Sequence, residues 1–373
     1  MTEFFRIDSI QNWYKAIEIS HDPTSIIREY QLVVDLTFDE KTPVYTRDGA
    51  TDTNYLFIGP GKRLISSGKT ITLKKNAVPN NRGKGIFRIQ GSEDSLAYIN
   101  GGVRGPGLHD LIINVEDIII GEREAVFCSS FGMIEPRNMS VKHVKINFTG
   151  TIENGCSIFI NSNTNSIQNC SLVSCDIDIL NFTENNPRFE MMDKKKYTGF
   201  LKDVGGKTEI RGCGVISNWV KEIPFDYFIS TVKDGECDLI GARIEQKAPT
   251  KEVFSSVNLY LNFIRFVEKN CTCRMENIVF YYGDYKETSK RKGFVIDTVD
   301  ENAQVFINGY TNNFGVSSTV ENVVRTNHGM VELKKNNNNR RKVIFSLKQI
   351  LIICGSLFGL VGLIWMYLKI FSK

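Results

Sequence analysis

Ile167-Gln168-Asn169-Cys170-Ser171-Leu172 and Met275-Glu276-Asn277-Ile278-Val279-Phe280 share one pattern. An apolar residue is followed by two polar ones, then by an apolar residue or cysteine, and then by alternation. The pattern recurs as Leu108-x-x-Leu111-x-Ile113-x-Val115, Val141-x-x-Val144-x-Ile146-x-Phe148 and Ile210-x-x-Cys213-x-Val215. Cys237-x-x-Ile240-x-Ala242-x-Ile244 and Val305-x-x-Asn308-x-Tyr310 complete the series, with starting points 26 to 43 residues apart. Alternation with a period of two places one side-chain row inward and one outward on a strand. The extra residue between the first two apolar positions marks a corner, where the chain bends and resumes inward pointing. Gln168-Asn169, Arg211-Gly212 and Glu276-Asn277 suit such corners. A chain that turns once per repeat stacks like residues over one another and buries each coil's apolar face on the next. On that basis Cys170 and Cys213 are expected in one interior column, with Asn308 in the same register.

The repeats resemble the coils of right-handed parallel β-helices of the pectate-lyase-like group. The resemblance runs over roughly residues 64 to 310 and rests on a degenerate motif. A β-sandwich also produces short alternating strands with turn signals. The expected fold is all-β: a right-handed parallel β-helix (solenoid) with an N-terminal cap and one C-terminal transmembrane helix. Ile10 to Ile19 carries Trp13, Ala16 and Ile17 at helical spacing before Pro23, and Gln31 to Phe38 alternates as a strand. Residues 1–63 are therefore expected to cap one end, 64–310 to form the β-helix, and 311–333 to cap the other end. The irregular repeat length implies loops leaving the helix. Asn185–Thr198, with Asp193, Lys194, Lys195 and Lys196, and Gly283–Lys292, with Asp284 and Lys286, are the expected partner-facing loops.

The formal charge of +4 conceals a division. Eight basic residues and no acidic ones lie between Lys334 and Lys373, leaving 38 basic against 42 acidic groups in the first 333 residues. A nucleic-acid partner is not expected, because such domains carry a basic face. Residues 334–349 form a basic, Asn-rich linker. Lys334, Lys335, Arg340, Arg341, Lys342 and Lys348 suit an anionic membrane surface, each contributing on the order of 1 kcal/mol. Residues 350–368 read ILIICGSLFGLVGLIWMYL, a run of 19 without a charge. At about 1.5 Å per residue it nearly spans a hydrocarbon core of roughly 30 Å. Ile350 and Leu351 open this span, and Trp365 and Tyr367 suit its interface. Gly355 and Gly359 form a G-x-x-x-G pair compatible with self-association. The richer basic flank precedes the span, which puts the globular part on the cytoplasmic side. The first residues have no basic start followed by an apolar run, so no signal peptide is expected.

The nine cysteines are then expected to be reduced thiols. Five N-x-Ser/Thr sequons, at Asn138, Asn147, Asn169, Asn181 and Asn270, are expected to stay unmodified. For chemistry, Asp176 and Asp178 are two apart on one strand and share a face. They are the best carboxylate pair for acid/base work or Ca²⁺, although a solvated outer face is the better reading of them. His21, His109, His143 and His328 have no metal-ligand spacing. Cys271-Thr272-Cys273 lacks a second half for a zinc site, so packing thiols are the better reading. The Asn-Thr-Asp, Asp-Asp and Gly-His-Gly motifs of the polygalacturonase branch are absent, and no catalytic residue, metal or cofactor is assigned.

Two functions remain as expectations. One is a structural, tail-anchored protein whose partners are a lipid bilayer and other coat or capsid proteins. It resembles a minor capsid protein of a large icosahedral double-stranded DNA virus with an internal membrane. The other is a membrane-bound carbohydrate-active β-helix enzyme, a polysaccharide lyase or glycoside hydrolase.

Overall fold

The computed structural model describes residues 3–42, 56–74, 86–89, 107–120, 128–130, 138–152, 157–162, 167–182, 199–217, 227–246, 259–281, 291–312 and 323–334. They form a parallel β-solenoid with three faces, each a ladder of strands stacked coil upon coil. On the first face the inward column runs Phe5, Tyr30, Leu64, Leu108, Val141, Leu172, Ile210, Leu239, Met275 and Ile307. On the second it runs Leu36, Ile71, Ile113, Ile146, Ile177, Val215, Ile244 and Phe280. The third face begins at Leu56–Ile58 and ends at Val324–Asn327, again with parallel pairing.

The corners explain the composition. Between the first and second faces each coil from Gly107 onward places one residue in a left-handed backbone: Asp110 (φ 59°), His143 (52°), Ser174 (51°), Gly212 (61°), Gly241 (62°), Asn277 (51°) and Gly309 (80°). Between the third and first faces the same role falls to Asn138, Asn169, Gly206, Asp234, Asn270 and Asn302. Glycine reaches that region without strain, and Asn and Asp tolerate it better than other residues. Three of the five sequons are therefore corner motifs. Asn138-Met139-Ser140, Asn169-Cys170-Ser171 and Asn270-Cys271-Thr272 each consist of a left-handed Asn, an inward apolar residue and an outward hydroxyl.

The interior is layered. Phe159, Phe200, Phe228 and Phe263 stack face to face at centroid spacings of 4.7, 4.7 and 4.9 Å, and Phe280 closes the row edge-on at 6.1 Å. Consecutive strands stand about 4.8 Å apart, so a phenylalanine repeated once per coil forms a ring stack without further adjustment. Burying each ring is worth about 1.5–3 kcal/mol.

Three alignments read from the sequence change. Cys170 and Cys213 occupy separate columns. Cys170 stacks on Thr208, whose hydroxyl accepts its backbone N–H at 3.3 Å, and the next coils supply Cys237 and Cys273. Cys213 lies under Cys175 instead, its sulfur accepting the Cys175 backbone N–H at 3.3 Å. The reason is that Asn169 and Gly212 are different corners of the coil. Asn308 points outward and is exposed, because the bend falls at Gly309 rather than between Val305 and Asn308. The coil at Cys237 shifts in the same way: Cys237 and Leu239 point inward, and Gly241 makes the turn.

The ends also differ from simple caps. Helix α1, Ile10–His21, buries Trp13, Ala16, Ile17 and Ser20, with Ser9 accepting the Asn12 N–H at its N-terminus. Trp13 packs edge-on against Phe38 and Phe87, each at 6.0 Å. Yet Phe4–Ile7 already pairs with Glu29–Leu32, and the latter with Arg63–Ile65. The solenoid thus starts before residue 64, within the expected cap. At the other end Met330–Lys334 pairs with the strand Gln304–Asn312, so residues expected to cap the coil extend it.

The anchor span 350–368, Lys335 and the rest of the basic linker lie outside the described residues. So do the loop residues Asp193, Lys194, Lys195, Lys196, Asp284 and Lys286. No helix among the described residues is long and apolar enough to cross a membrane.

Candidate functional site

Asp176 and Asp178 do share the outer side of the second face, on the strand Asp176–Phe182. Their neighbours come from other coils. Lys145, one coil earlier, stands opposite Asp176 and places its Nζ 2.6 Å from Asp178 Oδ2. Arg243, two coils later, donates from its guanidinium to Asp176 Oδ2 at 2.8 Å. It reaches across Gly214, the residue between them in the ladder. A Cβ on Gly214 would sit 2.3 Å from Arg243 Cγ, so the glycine is what allows the arginine to lie flat against the sheet. Beside this quartet, Asn147 donates to Asn114 Oδ1 at 2.8 Å across neighbouring coils.

Each carboxylate is thus held by one cation, while Asp176 Oδ1, Asp178 Oδ1 and Arg243 Nε are enclosed without a hydrogen-bond partner. Burial raises the Asp176 carboxyl above its ordinary range, and Asp178 adds to the rise. Arg243 opposes both. The arrangement can hold a proton on Asp176 more readily than on a free aspartate. It can also simply tie three coils together.

The remaining candidates scatter. His143 Nδ1 lies 2.9 Å from Asp110 at the first corner. His109 is held below its usual range by burial and then by Lys142. His21 meets the Ile17 carbonyl at 2.8 Å, and His328 is exposed at the far end. Cys271 and Cys273 are buried thiols outside any disulfide, as are Cys170, Cys175, Cys213 and Cys237. Burial pushes the Cys273 thiol up, leaving it protonated and inert. Among the described residues no three His, Cys, Asp or Glu side chains gather to hold a metal. Sequence reasoning missed Lys145, Arg243 and Gly214. Their only signal is coil register, which becomes readable once the length of every intervening loop is known.

The fold defines a parallel β-solenoid with a polar ladder on its second face. No protein-family model matches the chain, and no curated protein or solved structure matches it significantly.

Proposed function

We propose that the protein is structural: a stiff β-solenoid tethered to a membrane through residues 350–368, with its globular part on the cytoplasmic side. In the particular form proposed, it is a minor capsid protein that links an internal viral membrane to the surrounding shell. The observation that carries the structural reading is the Asp176–Asp178 site itself. Its two carboxylates are spent on Lys145 and Arg243 from different coils, an arrangement that braces the solenoid along its length. The charge-free run behind a basic linker supports the tether. A right-handed coil is expected, since parallel strand crossovers take that hand in about 98% of cases. The test is protease protection on membranes from the source particles, followed by cross-linking mass spectrometry. The reading predicts a protease-accessible solenoid outside the lipid layer, cross-linked to a coat protein. A solenoid free of any coat and facing a glycan-bearing compartment would overturn it.

A second reading, a carbohydrate-active enzyme, draws on one observation: the raised carboxyl of Asp176 beside Asp178, the kind of pair that acid/base hydrolysis uses. Glycan cleavage that disappears in the Asp176→Asn/Asp178→Asn double variant would establish it.

A further inference from the structure

Among the described residues, both ends of the first face carry a strand edge with no partner, and their side chains match. At the beginning, Phe4–Ile7 is hydrogen-bonded among the described residues on one side only, to Glu29–Leu32. At the other end, Met330–Lys334 pairs back to the preceding coil, Met330 N–H donating to Ala303 O at 2.9 Å, with no later strand among the described residues. An open parallel edge is a template for another strand. Phe4 and Met330, 57% and 48% exposed, are two of the four large apolar side chains that the described residues leave open to solvent. On the inward side Ile7 is buried, while Phe5, Val331 and Leu333 are only partly covered.

We propose that copies of this chain stack head to tail, the Met330–Lys334 edge of one pairing in parallel with the Phe4–Ile7 edge of the next. Inward residues must oppose inward residues, so only shifts of two are allowed. Aligning Met330 with Phe4 places Val331 over Phe5, Glu332 over Arg6, Leu333 over Ile7 and Lys334 over Asp8. Apolar residues meet apolar ones and each charge meets its opposite. Sliding by two in one direction sets Glu332 on Asp8, and in the other sets Lys334 on Arg6. Like charges directly opposed are unfavourable on a sheet, so one register is selected. Arg6 and Asp8 meet as a solvent-exposed pair 3.8 Å apart, and Asp8 Oδ1 also accepts from the Asn12 side-chain amide at 2.7 Å, which leaves Arg6 the freer of the two to respond. The contact is heterologous, so it propagates into a row rather than closing a dimer. It concerns the solenoid ends alone and stands whether or not the membrane reading does.

The experiment is sedimentation of the full chain in a mild non-ionic detergent over a range of protein concentrations. Arg6→Glu, Glu332→Arg and the double variant are run alongside, with circular dichroism confirming that each is folded. Growth beyond dimers is expected for the parent chain, weakened about tenfold by either single reversal and regained in the double variant. A chain that stays monomeric overturns the proposal. So does assembly indifferent to the reversals, which would place the contact elsewhere, for example at Gly355 and Gly359. Association that begins only on deletion of residues 335–349 also overturns it, since the chain's own linker would then be covering the edge.

Discussion

Gly206 and Gly241 both stand at left-handed corners, with φ of 60° and 62°, but their surroundings differ. A Cβ at Gly241 would meet nothing nearer than 4.0 Å, whereas one at Gly206 would lie 2.5 Å from Asn169 Oδ1 and 2.9 Å from its backbone nitrogen. Asn169 is held there, its Oδ1 accepting the Lys207 N–H at 2.8 Å. Gly241→Ala should therefore cost about 1–2 kcal/mol, the strain of the left-handed backbone alone. Gly206→Ala should cost more, because it also breaks that corner bond; urea denaturation of the two variants checks the order. Asp176 makes a second prediction at this scale. Burial raises its carboxyl above the ordinary aspartate value. Between that value and its higher folded value, the folded state binds the extra proton, so this group makes stability fall as pH rises through the window. Asp176→Asn should remove that part of the pH slope, read as unfolding midpoints across the acid range.

At the scale of the element, the unit of stability is the column that crosses coils, more than the single strand. Phe228 lies between Phe200 and Phe263 at 4.7 and 4.9 Å. Phe228→Ala should lose about 3–5 kcal/mol in equilibrium unfolding. Phe228→Leu, which keeps much of the volume, should lose clearly less. The last two coils are joined on the third face by Arg325, which grips Asp297 with two nitrogens, one donating to Oδ2 at 2.9 Å. The Asp297 side chain is only 8% exposed. Arg325→Ala strands that carboxylate and should cost about 2–3 kcal/mol. Arg274→Ala, between the exposed Glu236 and Asp238, should cost under about 1 kcal/mol. A thermal-shift comparison separates the two.

For the solenoid as a whole, contacts run mainly from coil to neighbouring coil, with Arg243–Asp176 reaching one coil further, so stability is approximately a sum of coils and the interfaces between them. The prediction at this scale concerns the tether. Deleting residues 350–373 should move the protein from an alkali-resistant membrane pellet to the soluble fraction while its β-type far-ultraviolet spectrum persists. A chain found soluble before the deletion would remove the anchor from the proposed function.

The sequence by itself determined the repeat, the strand alternation and the corners at Asn169, Gly212 and Asn277, because one-residue bends and a period of two are local properties. It also located α1, since Trp13, Ala16 and Ile17 repeat at helical spacing, and it set Asp176 and Asp178 on one face, since they are two apart. Only the tertiary structure decided which corner each bend makes, and hence that Cys170 and Cys213 belong to different columns. It alone brought Lys145 and Arg243, distant in the chain, to the two carboxylates over Gly214. Stacking in a solenoid depends on the length of every connection between the coils. A chain read residue by residue carries the shape of each coil but not the offset between coils, and that offset places side chains from different coils against one another.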